Sequence, residues 1–213
     1  WGTTSFRAWS IDADGRVLGE RRGADGLTTA SERGFARVLE THLLALGLPA
    51  NAPAILCGMV GARTGWVEAN YLDTPLQLDD LSARAVRVPD AGERSVFILP
   101  GLSPRMAGSP DVMRGEETQL LGVMAEGYQN GLVCMPGTHS KWVHLQAGSV
   151  LGFSTFMTGE LFQLLRAGSI LRQAVETDAH VDAASPAFAD GVRAAYASPA
   201  LATQHLFSLR AGW

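Results

Sequence analysis

Two cysteines, Cys57 and Cys134, are all that the 213 residues carry. Two thiols cannot build a disulfide framework, so a reducing compartment is expected, with the cytoplasm as the location. Basic residues are also scarce: 17 Lys and Arg stand against 21 Asp and Glu, a formal charge of −4. Binding to a phosphate backbone needs a basic surface, so no nucleic-acid partner is expected. No apolar run approaches the roughly 20 residues of a membrane-spanning helix, and no secretory leader opens the chain, so no membrane partner is expected. Charge of both signs is thin at 18% of residues, whereas apolar residues make up 46% and glycine occurs 24 times. That composition suits a globular chain with a sizeable core and many tight turns.

Trp1 leads directly into a strand pattern, and Leu201–Trp213 reads as an element cut short. The sequence is therefore expected to be the visible part of a longer chain.

Alternation predicts a strand over Thr4–Asp12, a turn at Asp12–Gly15 and a returning strand over Arg16–Arg22. Apolar spacing from Phe35 to Leu46 predicts one amphipathic helix from Ser31 to about Leu48. Ala54–Cys57 and Val96–Leu99 read as short buried strands, and residues 62–92 between them as mostly loop. Proline and glycine cluster over 100–110, where we expect a domain boundary, giving domains 1–105 and 106–213. The second half reads as a helix over Gly115–Glu126, a buried strand Leu132–Met135, strands Lys141–Leu145 and Ser149–Phe156, and a helix Thr158–Val175. Ser185 caps a further helix to about Tyr196. Cys57 and Cys134 fall in apolar strands and read as small core residues.

Each half places a Gly-Thr sequence beside a strand: Gly2-Thr3-Thr4 and Gly137-Thr138. Glycine lets a backbone approach phosphate oxygens closely, and threonine adds a hydroxyl, although either turn alone is ordinary hairpin chemistry. Two such turns, one per half, suit a triphosphate held from both sides.

Five segments together resemble the 2-dehydro-3-deoxygalactonokinases. They are Trp1–Ala8, Cys57–Gly61 with Gly65-Trp66, Met113-Arg-Gly-Glu-Glu-Thr-Gln-Leu-Leu-Gly122, Pro136-Gly-Thr-His-Ser-Lys-Trp142 and Thr155-Phe-Met-Thr-Gly-Glu-Leu-Phe162. The resemblance implies an α/β protein of the actin-like ATPase superfold, with two ribonuclease-H-like domains, the second incomplete here. It also implies transfer of phosphate from ATP to the 6-hydroxyl of 2-dehydro-3-deoxy-D-galactonate in D-galactonate breakdown, with Mg²⁺ accompanying the nucleotide. The Asp that organises this ion in the family pattern would precede Trp1. Three rival readings remain open: a related sugar or sugar-acid kinase with another acceptor, a nucleotide hydrolase or sensor of the same superfold, and a non-catalytic ligand-binding remnant. A homo-oligomer is compatible with each.

On this resemblance Gly2, Thr3 and Thr4 form the first phosphate loop and Gly137 and Thr138 the second, with Lys141 available to neutralise charge. Arg63 follows the Gly58–Gly61 strand end and suits the carboxylate of the acceptor; Arg7 and Arg114 compete with it. Gly61, Trp66 and His139 complete the expected acceptor pocket, while an aromatic in a long connection, Trp66 or Tyr71, more often packs beneath it. Glu116 and Glu117 open a helix, and one of them is expected to be the general base. Glu116 stands 21 positions before Gly137, the better match to related carbohydrate kinases.

Overall fold

The computed structural model describes residues 1–89, 91–104, 109–175 and 184–211. It is a mixed α/β structure with several sheets and divides into two compact units. One comprises Trp1–Met135 with Lys141–Thr155, the other Pro136–Ser140 with Phe156–Trp213.

The first unit opens with an antiparallel hairpin, β1 (Phe6–Ile11) and β2 (Val17–Gly23). The Asp12 carboxylate closes its turn by accepting the amides of Asp14 and Arg16 at 2.9 and 2.8 Å. Phe6 and Ser10 are buried and Arg7, Trp9 and Ile11 exposed, the period of two expected of a half-buried strand.

The single helix expected over 31–48 is two helices, α1 (Leu27–Arg33) and α2 (Phe35–Ala45). Gly34 separates them with φ at +89°, a conformation that ends a right-handed helix and that glycine adopts without strain. Val38, Leu39, His42 and Leu43 form the buried stripe of α2.

Residues 62–92 are more structured than expected. They hold β4 (Leu72–Thr74), β5 (Leu76–Gln77), a 3₁₀ segment Leu78–Arg84 and β6 (Val86–Arg87). Parallel pairing joins β3 (Ala54–Leu56) to β7 (Val96–Ile98), with β6 antiparallel on the other side of β7. The expected connector contains a further strand, β8 (Leu102–Pro104), parallel to β4. Part of that connector, 105–108, lies outside the described residues.

After α3 (Glu116–Ala125) come β9 (Gly131–Met135), β10 (Ser140–Gln146) and β11 (Ser149–Phe156), in a sheet ordered β5-β11-β10-β9. Because β9 is the edge strand, it is not the buried strand its composition predicts: Leu132 is 64% exposed, and Cys134 is exposed rather than in the core. Cys57 is half-buried.

Two hydrophobic cores lie within this unit. Phe6, Leu39, Leu43, Val60, Val96 and Ile98 form the first. In the second, Leu78, Leu81 and Leu102 pack with Leu120, Val143 and Phe153, joining residues from both sides of position 105.

The second unit contains α4 (Gly159–Gly168), a 3₁₀ turn Ile170–Gln173, α5 (Pro186–Ala197), a second 3₁₀ turn Pro199–Leu201 and α6 (Ala202–Ala211). The helix expected to reach Val175 stops at Gly168, where the Ser169 hydroxyl accepts the Leu171 amide at 3.0 Å and starts the 3₁₀ turn. Ser185 stands at the start of α5 without capping it through its side chain. Pro186 opens that helix instead, where a missing N–H costs nothing. No helix among the described residues is long and apolar enough to cross a membrane.

Candidate active site

Close backbone packing builds the centre of the site. The Trp1 carbonyl accepts the Met59 amide at 2.7 Å, and a Cβ on Gly58 would stand 2.4 Å from that carbonyl oxygen. Gly58 also faces Gly115, whose own Cβ would lie 3.3 Å from the Gly58 Cα. Gly115 has φ at +104°, so both its space and its conformation call for glycine. The chain start, the end of β3 and the start of α3 are thereby brought together.

Glu116 and Glu117 leave this point in different directions. The Glu116 carboxylate accepts the Arg114 amide at 3.0 Å and lies 3.6 Å from Lys141 Nζ, with a quarter of its side chain exposed. Lys141 itself is 4% exposed, although a lysine at a strand start is more often solvated. A buried ammonium needs a partner, and Glu116 supplies it. The Glu117 side chain is fully buried, with both oxygens accepting the Gly115 amide at 2.8 and 2.7 Å. Burial pushes its carboxyl up from 4.5 to about 7, against the lowering effect of its backbone hydrogen bonds.

The three expected arginines differ sharply. The side chains of Arg63 and Arg7 are exposed and make no hydrogen bond or ion pair among the described residues. Arg114 donates from Nη2 to the Ala69 carbonyl at 2.7 Å and stacks its guanidinium 4.3 Å above the Tyr71 ring. Its Nε and Nη1 are enclosed without an acceptor among the described residues, and Gly61 is so close that a Cβ there would stand 2.8 Å from Nη1. Trp66 stacks on Phe35 at 6.1 Å and packs against the first core, the supporting role that aromatics in long connections usually take.

Thr3 and Thr4 are exposed at the first Gly-Thr sequence, which lies against the start of α1: Leu27 donates to the Gly2 carbonyl at 3.0 Å. In the second unit, Gly137, Thr138 and His139 are exposed and lie against the start of α4, where Glu160 donates its amide to the Thr138 carbonyl at 2.9 Å. His139 Nε2 pairs with the Glu160 carboxylate at 2.5 Å, and the Ser140 hydroxyl pairs with that of Thr158 at 2.5 Å. Sequence reasoning did not single out Gly58, Glu160 or the Asp25–His42 pair, whose side chains lie 2.9 Å apart. Glu160 sits inside the Thr155–Phe162 motif and Gly58 inside Cys57–Gly61, so a reader of the motifs could have found both. The Asp25–His42 pair is signalled by nothing local.

Among the described residues, no group of three or more His, Cys, Asp or Glu could hold a metal ion. The described donors thus make no Mg²⁺ cage.

Comparison with known proteins places this mixed α/β chain among the kinases. The family model described as 2-keto-3-deoxy-galactonokinase matches residues 1–213. The chain is 54% identical over 213 residues to the "Probable 2-dehydro-3-deoxygalactonokinase" of Rhizobium meliloti (strain 1021), covering 100% of this chain and 69% of that protein. It is 34% identical over 211 residues to the 2-dehydro-3-deoxygalactonokinase of Escherichia coli (strain K12), covering 99% of this chain and 68% of the relative. A crystal structure described as that of "a putative 2-dehydro-3-deoxygalactonokinase protein from Sinorhizobium meliloti" superposes with a TM-score of 0.93 at 54% identity, over 100% of this chain and 70% of that one. The chain belongs to the 2-keto-3-deoxy-galactonokinase family. Membership in a kinase family implies use of ATP.

Proposed function

We propose that the protein transfers the γ-phosphoryl group of ATP to the 6-hydroxyl of 2-dehydro-3-deoxy-D-galactonate, in the breakdown of D-galactonate in the cytoplasm. The observation that carries this reading, beside family membership, is the Glu116–Lys141 pair at 3.6 Å on the glycine-packed start of α3. Glu116 is the general base: it is partly open to an incoming hydroxyl, whereas Glu117 is sealed inside and braces Gly115 instead. The acceptor oxygen bonds to the γ-phosphorus, the bond from that phosphorus to the β-γ bridging oxygen breaks, and the acceptor proton passes to Glu116. ADP leaves.

Gly2, Thr3 and Thr4 hold phosphate oxygens, and so do Gly137 and Thr138. Lys141 compensates charge from its place beside Glu116. Arg63 receives the acceptor carboxylate, supported by its freedom from other partners; Arg7 is the alternate, and Arg114 is already committed to Ala69 and Tyr71. His139 and Gly61 border the acceptor. Mg²⁺ enters with ATP and supplies charge neutralisation on the phosphates. The actin-like architecture of two ribonuclease-H-like domains, 1–105 and 106–213, belongs to the same proposal. Its support is that each half carries its own Gly-Thr turn laid against a helix start. Steady-state assay of Glu116→Gln against ATP and the sugar acid tests the assignment.

A further inference from the structure

We propose that Gly26 and Gly159 are positioning residues for the two phosphate turns, each forming a seat on which one turn's backbone lies. The inference rests on the reading of Gly2–Thr4 and Gly137–Thr138 as phosphate turns.

In the first unit, Gly26 stands immediately before α1. A Cβ there would lie 2.4 Å from the Thr3 carbonyl oxygen and 2.5 Å from the Thr4 Cα. The amides that follow it, of Leu27 and Thr28, donate to the carbonyls of Gly2 and Thr3 at 3.0 and 3.5 Å. In the second unit, Gly159 is the first residue of α4. A Cβ there would lie 2.6 Å from the Gly137 carbonyl oxygen and 3.1 Å from the Thr138 Cα. The amides of Gly159 and Glu160 donate to the carbonyls of Gly137 and Thr138 at 3.2 and 2.9 Å. Two glycines far apart in sequence thus each pack against a Gly-Thr turn at a helix start, with an offset of one residue: Gly26 lies against Thr3 and Thr4, and Gly159 against Gly137 and Thr138.

Each seat also carries a histidine–carboxylate brace next to its glycine. Asp25 precedes Gly26 and is held by His42 at 2.9 Å and by Arg33 at 2.5 Å, with His42 stacked 4.2 Å from the Phe6 ring. Glu160 follows Gly159 and is held by His139, itself part of the turn.

The construction has a chemical consequence. Carbonyl oxygens repel phosphate, and those of Gly2, Thr3, Gly137 and Thr138 are occupied by helix amides. The amides of Thr3, Thr4, Gly137 and Thr138 have no acceptor among the described residues. They and the threonine hydroxyls are what each turn offers to an anionic oxygen. A side chain on either glycine moves the carbonyls, and the offered amides with them.

The test compares KM for ATP, KM for the sugar acid and Tm in Gly26→Ala and Gly159→Ala. Thr138→Val serves as the direct probe of phosphate contact and Gly122→Ala as the control, since nothing lies within 4 Å of a Cβ at Gly122. Displacing a turn by about an ångström should raise KM for ATP about 10- to 100-fold while KM for the sugar acid stays within about twofold. Should Gly26→Ala not fold, His42→Gln loosens the Asp25 brace without crowding the turn, and KM for ATP should rise about threefold or more. If Thr138→Val raises KM for ATP and the folded seat variants do not, the positioning role is overturned while the phosphate reading stands. If Thr138→Val, too, leaves KM for ATP unchanged, the phosphate reading itself fails.

Discussion

Both carboxylate oxygens of Glu117 accept the single amide of Gly115, at 2.8 and 2.7 Å, in a place fully closed to solvent. The amides of Gly115 and Glu117, with the Thr118 hydroxyl 3.5 Å from one oxygen, do not replace the hydration the carboxylate loses on burial, so the proton-bound form is favoured and the carboxyl rises to about 7. The unfolded chain releases this proton near 4.5, the folded chain only near 7. The group therefore favours the folded state fully below 4.5, and that contribution is lost as pH rises through about 7. Over the whole interval it amounts to about 3 kcal/mol at most. Glu117→Gln cannot ionise, and its carbonyl oxygen still faces the Gly115 amide. Thermal unfolding at pH 5 and pH 8 should show a smaller loss of Tm with pH in Glu117→Gln than in the parent. Parallel losses would show that Glu117 is ionised throughout.

Glu116→Gln keeps the shape of the group but removes its capacity to take a proton. We expect kcat to fall about 10²- to 10⁴-fold with KM for ATP near the parent value. Normal turnover in Glu116→Gln together with loss in Glu117→Gln would move the base by one position.

Arg63 and Arg114 should separate cleanly. Arg63→Ala removes a free cation, and KM for the sugar acid should rise about 30- to 150-fold, the cost of about 2–3 kcal/mol for one charged contact, with KM for ATP unchanged. Arg114→Ala removes the bond to Ala69 and the stacking on Tyr71. Its main effect should be a loss of about 1–3 kcal/mol in unfolding free energy, measured by denaturant titration. A normal acceptor KM in Arg63→Ala would transfer the carboxylate contact to Arg7.

What could be read in advance follows the length of each element. β10 alternates from Lys141 to Gln146, long enough for a period of two to show, and the expected Ser149–Phe156 matches β11 residue for residue. The helix expected at Gly115–Glu126 is α3 to within one residue at each end. By contrast β4, β5 and β6 span two or three residues each, too short for any period, so Leu78 and Leu81 went unrecognised as core. Gly34 interrupts a continuous apolar stripe, and a stripe says nothing about backbone dihedral. Cys134 looked buried because composition does not say which strand becomes a sheet edge. In the site, the Glu116–Glu117 pair stood out through its motif, but the inward turn of Glu117 and the burial of Lys141 depend on packing against distant segments.

The central claim is phosphoryl transfer to a sugar acid, and a coupled assay of ADP release by the purified protein tests it most directly. With ATP and Mg²⁺ supplied, the account predicts ADP release that requires 2-dehydro-3-deoxy-D-galactonate and outpaces release with other keto-deoxy sugar acids. Phosphorus NMR of the product should place the new phosphate on the 6-oxygen. ADP release at the same rate with no acceptor present would contradict the claim and identify a nucleotide hydrolase instead.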